Sequence, residues 1–280
     1  YGILQLRVEN SFINYFKSNT EIYQGMKQID DKLGGTTPLD IVIKFPNDDV
    51  DDLDDIDSEL LEDNESSESD WFTIKKIKKI KLVHDYLDSQ PEIGKVLSLA
   101  STVRVAEKIN EGKELSSIEM ALLYQRAPEK VKSIAVTPYV SIEDNEARIN
   151  VRVLDSKTDL KRKELIQRLE FDFINKLNMT KDEFTITGIL ILYNNMLQSL
   201  FNSQILSLGF VMIGIFLMFL ILFKSTILAI VGIIPNLLAA TFVLGLMGLL
   251  NIPLDMMTIT IAAITVGIAV DNSIHYIYRF

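Results

Sequence analysis

Hydrophobic positions along this chain follow two regimes that meet near residue 204. Beyond it, apolar residues are almost continuous. Ile205 to Phe223 is a 19-residue run without a charge, close to the roughly 20 residues a helix needs to cross a bilayer core. Lys224-Ser225 makes a short turn, and a second run covers 226–250 with Pro235 inside it. Asn251-Ile-Pro-Leu-Asp255 is the next turn, and a third run starts near Leu254 and continues toward Arg279. The pattern predicts three transmembrane helices, at about 204–223, 226–250 and 254–279. Proline persists in a membrane helix where neighbouring groups re-satisfy the carbonyl it frees, so a kink is predicted at Ile234-Pro235-Asn236.

Before residue 204 the pattern switches to short periodic segments. Thr37-Pro-Leu-Asp-Ile-Val-Ile-Lys-Phe45 alternates and is β-branched, a strand signal. Ile74, Ile77, Ile80, His84 and Leu87 share one face of a helix ringed by Lys75, Lys76, Lys78, Lys79 and Lys81, read as a solvated basic face with His84 a structural histidine. Glu92–Leu99 reads as a strand, and 101–111 and 116–132 as helices. Strands at 136–141 and 147–154 flank Glu143-Asp144-Asn145-Glu146 in a hairpin pattern. A helix follows at 160–177, with Leu165, Leu169, Phe173 and Leu177 in one stripe, and a last strand at 184–190. Strand, helix, strand, strand, helix, strand is the split βαβ, ferredoxin-like order, with extra helices inserted. Residues 193–204 are expected to continue as helix into the first span, so movement of the soluble domain could reach the membrane. The fold class expected is therefore an α+β ferredoxin-like domain over 1–203 with an all-α transmembrane bundle over 204–280.

Charge separates the same two parts. Residues 204–280 hold only Lys224, Arg279, Asp255 and Asp271, so the whole net charge of −10 lies in the first 203 residues. Such a charge argues against nucleic acid and anionic lipid headgroups as binding partners. Lys224 and Arg279 fall on one side of the spans, and Asp255 and the acidic domain on the other. The positive-inside rule then places 1–203 outside the cytoplasm. Residues 47–70 carry 13 Asp or Glu and no Lys or Arg; they lack the glycine and spacing of an EF-hand and read as a solvated, mobile loop. With no cysteine in the chain, thiolate chemistry is excluded. No Ser–His–Asp set, phosphate loop or metal cluster stands out, so an enzyme is not expected. The chain opens without an initiator methionine and closes in mid-pattern, and reads as a fragment of a longer membrane protein.

One feature of the third span stands apart. Met256 to Val270 has only Thr258, Thr260 and Thr265 as polar side chains, and Asp271 follows directly. A carboxylate at a membrane helix centre costs about 2.5–3.5 kcal/mol on insertion scales, so an ion or proton pathway is the usual reason to keep one. Positions four apart share a helix face, which aligns Ala263, Gly267, Asp271 and His275. Small residues let another helix approach closely, so Ala263 and Gly267, with Asn272 beside them, support packing while Asp271 faces the neighbour. Two simpler readings stand beside this: Asp271 as a helix-end residue with His275 at the headgroups, and the two side chains as metal ligands, for which no third ligand is visible.

Several segments together resemble the resistance–nodulation–division (RND) transporters, closest to the hydrophobe/amphiphile efflux type-3 branch. They are Leu33-Gly-Gly-Thr-Thr-Pro-Leu39, Leu197-Gln-Ser-Leu-Phe-Asn-Ser-Gln204, Ile233-Ile-Pro-Asn236, Ile252-Pro-Leu-Asp-Met-Met-Thr258 and Gly267-Ile-Ala-Val-Asp-Asn-Ser-Ile-His275. The resemblance implies that 1–203 is a periplasmic porter domain in the bacterial inner membrane system. It further implies export of lipids or other hydrophobic and amphiphilic molecules on the proton-motive force, with no cofactor beyond the coupling proton. Asp271 matches the family's proton-relay position and His275 a histidine common in this branch. The remaining helices and a second half of the same polypeptide would be partners, and a homo-oligomer is conceivable; the Leu33–Leu39 entry looks more like a C-terminal half. Two non-pumping alternatives share the architecture: a sterol-sensing-like, lipid-regulated protein and a Sec-type secretion accessory.

Overall fold

A computed structural model describes residues 13, 16–46, 71–157 and 160–250. In the last segment it describes 260, 264, 265, 267–270, 272, 274, 275 and 279, and it leaves out the side chains of 201, 204 and 208. The acidic stretch 47–70 read as a loop lies outside the described residues. The chain divides into two units, one from Ile13 to Leu192 and one containing the described residues from Tyr193 onward.

The first unit is a mixed α/β domain built on an open antiparallel sheet. Alternation in β1 (Thr37–Lys44) sends Leu39, Ile41 and Ile43 to one face, all fully buried. In β4 (Glu146–Val153) it does the same for Ala147, Ile149, Val151 and Val153. The two strands pair with Ile41 opposite Ile149 and Leu39 opposite Val151, so the two apolar rows coincide. A slip of one residue would bring both rows to the solvent face. β5 (Phe184–Thr187) pairs with the other edge of β1, and β2 (Ile93–Leu97) pairs with β4. The order is β2-β4-β1-β5, and the two-residue β3 (Val140–Ser141) pairs with the start of β4. Since β1 and β2 are each antiparallel to β4, they run the same way with β4 between them.

Helix α2 (Ile74–Asp88) follows β1 and helix α6 (Arg162–Asn175) follows β4. Ile77, Ile80, Val83 and Leu87 of α2, and Leu165, Leu169 and Phe173 of α6, join the strand residues in one core. The opposite sheet face is polar. There Arg148 donates through Nε and Nη2 to Asp40 at 3.0 and 2.9 Å, and Asn150 donates to Asp40 Oδ1 at 2.7 Å. One covered and one wetted face is the usual state of an antiparallel sheet.

Three helices, α3 (Leu99–Ile109), α4 (Ser117–Arg126) and α5 (Glu129–Ala135), are inserted between β2 and β3. The single helix expected over 116–132 is two. Ala127 is extended at φ −66°, ψ 133° and Pro128 is the N-cap of α5, because the residue before a proline is pushed out of the helical region. The strand expected over 136–141 shrinks to its last two residues, in keeping with the donor missing at Pro138. The strand expected over 184–190 ends at Thr187, and a helix begins at Ile189. Lys76, expected on the solvated lysine face, is instead buried. Its ammonium lies 5.6 and 5.2 Å from the Phe45 and Trp71 ring centroids and donates to Asn145 Oδ1 at 2.9 Å.

One helix had no counterpart in the pattern reading. α1 (Glu21–Leu33) is capped by the Thr20 side chain, which accepts from the Tyr23 N–H, and stops at Gly34 in the left-handed region at φ 84°.

In the second unit, α7 (Ile189–Phe223, 35 residues) and α8 (Thr226–Leu249, 24 residues) are both long and apolar enough to cross a membrane. Large apolar side chains such as Phe210, Ile221, Ile227 and Phe242 stand more than 60% exposed. A water-soluble fold does not leave so continuous an apolar surface uncovered. The described positions of the third segment are helical.

Candidate functional site

The buried face of α8 is assembled from small residues. Ala229, Gly232 and Asn236 are buried at helical spacing, and Ala240 continues the row half-buried. This row allows close approach, and Phe219 of α7, Ala229 of α8 and Val270 of the third segment meet there in an apolar cluster, joined by Phe216, Ala240 and Ile274. α7, α8 and described residues of the third segment thus share one small core.

On the same row Asn236 is fully buried, and its side-chain amide donates to the Gly232 carbonyl at 3.1 Å. One turn on, the Thr241 hydroxyl donates to the Leu237 carbonyl at 2.6 Å. Pro235, the expected kink position, lies inside α8 beside these bonds.

The third segment turns Val270 and Ile274 toward the cluster, while Gly267, Asn272 and His275 are exposed. No described atom comes within 4 Å of the position a Cβ would take on Gly267. Ala263 and Asp271, the other two members of the expected stripe, lie outside the described residues. On a helical wheel 267 lies about 20° from 274 and 60° from 270, so Gly267 borders the packed face, whereas 275, about 100° from 274 and 140° from 270, lies on a different side.

In the α/β unit the Leu33–Leu39 motif is a structural junction. The Asp30 carboxylate, fully buried, accepts at Oδ1 from the Thr36 N–H and hydroxyl (2.8 Å each) and the Asp155 N–H (3.0 Å). Its Oδ2 accepts from the Ser156 N–H at 2.7 Å. Burial pulls the Asp30 pKa up, but the hydrogen bonds from Ser156, Asp155 and Thr36 outweigh it and hold the group below its ordinary value. Asp155 in turn pairs with buried Arg162 of α6. The glycines bring these chains together. A Cβ on Gly94 would stand 2.6 Å from the Gly34 carbonyl oxygen, and one on Gly35 would stand 2.6 Å from that of Val153.

His84 is buried, with Nδ1 2.9 Å from the Ser98 hydroxyl that caps α3. Desolvation first, then the Arg104 charge, holds its pKa below the ordinary imidazole value. That is a structural setting, as the sequence suggested. Asp30, Asp155 and Arg162 were not singled out by sequence, and Asn236 entered only as part of the Ile233–Asn236 segment and its expected kink. Only Asn236 carried a signal, as an amide within an apolar run.

No protein-family model matches the chain. A protein of Methanocaldococcus jannaschii, MJ1562, described only as a membrane protein, is 38% identical over 69 residues, which is 25% of this chain and 18% of that protein. The matched stretch thus spans less than a fifth of that relative's length. Together with two helices of membrane length, it supports a membrane-associated protein that carries a mixed α/β domain.

Proposed function

We propose that the chain is part of a proton-driven exporter of RND type that moves lipids or other amphiphiles across a cytoplasmic membrane. In this reading Asp271 alternates between charged and neutral as a relay group, with His275 next along its face. The α/β unit is the extracytoplasmic porter domain, and the strand order β2-β4-β1-β5 supports the split βαβ assignment. The observation that carries the proposal is the two-sided third segment. Val270 and Ile274 are spent on the cluster with α7 and α8, while His275, about 100° to 140° away around the helix, stays exposed for a further helix, with Gly267 exposed at the border of the packed face.

Protonation removes the burial cost of the Asp271 carboxylate, so packing on that side can respond to each proton. One charge crossing 100 mV yields about 2.3 kcal/mol, comparable with that cost. The test is export of a fluorescent amphiphile by the full-length protein in membrane vesicles energised with a pH gradient. Asp271→Asn should insert and fold normally yet abolish gradient-dependent export. Full export by the variant would overturn the proposal.

A further inference from the structure

We propose that Gly232, Pro235 and Asn236 form a latched hinge at the middle of α8, with the Asn236 carboxamide as the latch. Pro235 has no N–H, so the helix bond to Val231 O is absent, and its ring crowds the carbonyls of the preceding turn. The next carbonyl, that of Gly232, receives the Asn236 side chain at 3.1 Å. The amide therefore reinforces the turn where the backbone ladder is weakest. Five residues on, Thr241 makes a second bond of the same kind to Leu237 O, and such side-chain bonds to the i−4 carbonyl bend helices. The two bonds and the proline all fall between 232 and 241, while the helix runs from Thr226 to Leu249.

The position of the hinge gives it leverage. Ala229 lies before it and Ala240 after it, and both pack in the cluster with Phe219 and Val270. Bending at 232–236 moves the two halves of α8 against a common core, so the latch selects between two ways of packing the third segment. A fully buried asparagine in an apolar span is costly unless it holds such a partner. The hinge stands on α8 itself and does not depend on whether the protein pumps.

Amide hydrogen exchange of the intact protein in nanodiscs, read peptide by peptide, tests this. Asn236→Leu fills the space without a donor. It should raise exchange across 230–240 about fivefold, the size expected for one lost hydrogen bond, and leave 205–223 unchanged. Asn236→Ser packs worse but can reach Gly232 O as Thr241 reaches Leu237 O, and should stay near wild type. In a Pro235→Ala background, where the ladder is continuous, Asn236→Leu should have a clearly smaller effect. If Ser exchanges faster than Leu, Asn236 is a packing residue and the latch is wrong. Equal exchange in Leu and wild type, or an increase spread over α7 as well, would also overturn it.

Discussion

Removing the Asp30 carboxylate should unfasten α1 and the Leu33–Leu39 junction from the α/β core. Four donors converge on it at 2.7 to 3.0 Å, three of them backbone N–H groups. Stranding a buried donor costs about 1–3 kcal/mol. Thr36 and Ser156 are only half-buried and can recover water, so Asp30→Ala should cost about 3–5 kcal/mol. Asp30→Asn keeps one oxygen for the three Oδ1 bonds but turns an amide toward the Ser156 N–H, and should cost about half as much. Trp71 is the single tryptophan and is buried in the α/β core beside Phe45 and Phe72. Its fluorescence during urea unfolding therefore reports this domain even with the apolar helices in detergent. At a slope of about 2 kcal/mol per molar, Asp30→Ala should lower the midpoint by about 2 M. An unchanged midpoint, or an Asn variant as damaged as the Ala one, would refute the assignment. The pH dependence has a fixed sign. Because the folded pKa is depressed, the Asp30 contribution is complete above its ordinary value of 3.8 and fades as pH falls through the lower folded value. Acid unfolding of Asp30→Asn should accordingly be shallower.

Other outcomes follow from the same contacts. Gly94→Ala places a Cβ against the Gly34 backbone and should cost about 1–3 kcal/mol as overpacking. Gly25→Ala, with open space around it in α1, should gain up to about 1 kcal/mol; both are read as urea midpoints. Tyr86 donates to Asp172 at 2.5 Å beside Lys176 at 2.8 Å, and Tyr86→Phe should cost about 1–2 kcal/mol. Burial and Asp172 raise the Tyr86 pKa above its ordinary 10.0, so its contribution is whole below pH 10 and declines at higher pH. The wild type should therefore lose stability in strong base that the Phe variant does not lose.

Strand positions and apolar spans were readable because their periods are simple. β1 and β4 alternate without exception on the core face, and 205–223 and 226–249 lack charges. What escaped was set by contacts distant in sequence. Asp30 looks like any helix-surface acid until Asp155 and Ser156 reach it from 125 residues away. Lys76 reads as one of five lysines, and contacts with Phe45, Trp71 and Asn145 help make it a core residue. α1 had legible ends in Thr20 and Gly34, but its stripe of Ile22, Met26, Ile29 and Leu33 is diluted by polar residues. The break at Pro128 was a local signal that helical periodicity across 116–132 concealed. In the apolar segments, continuity marks the runs, yet it does not distinguish the packed Val270 side from the exposed His275 side; Phe219 and Ala229 do that.

The coupling claim is tested most directly by proton movement itself. Full-length protein in proteoliposomes loaded with a pH-sensitive dye should show proton flux that rises when an amphiphilic cargo is added. Asp271→Asn should show no cargo-stimulated flux. Cargo-stimulated flux of equal size in the variant, or cargo transport by wild type without any proton movement, would contradict the account.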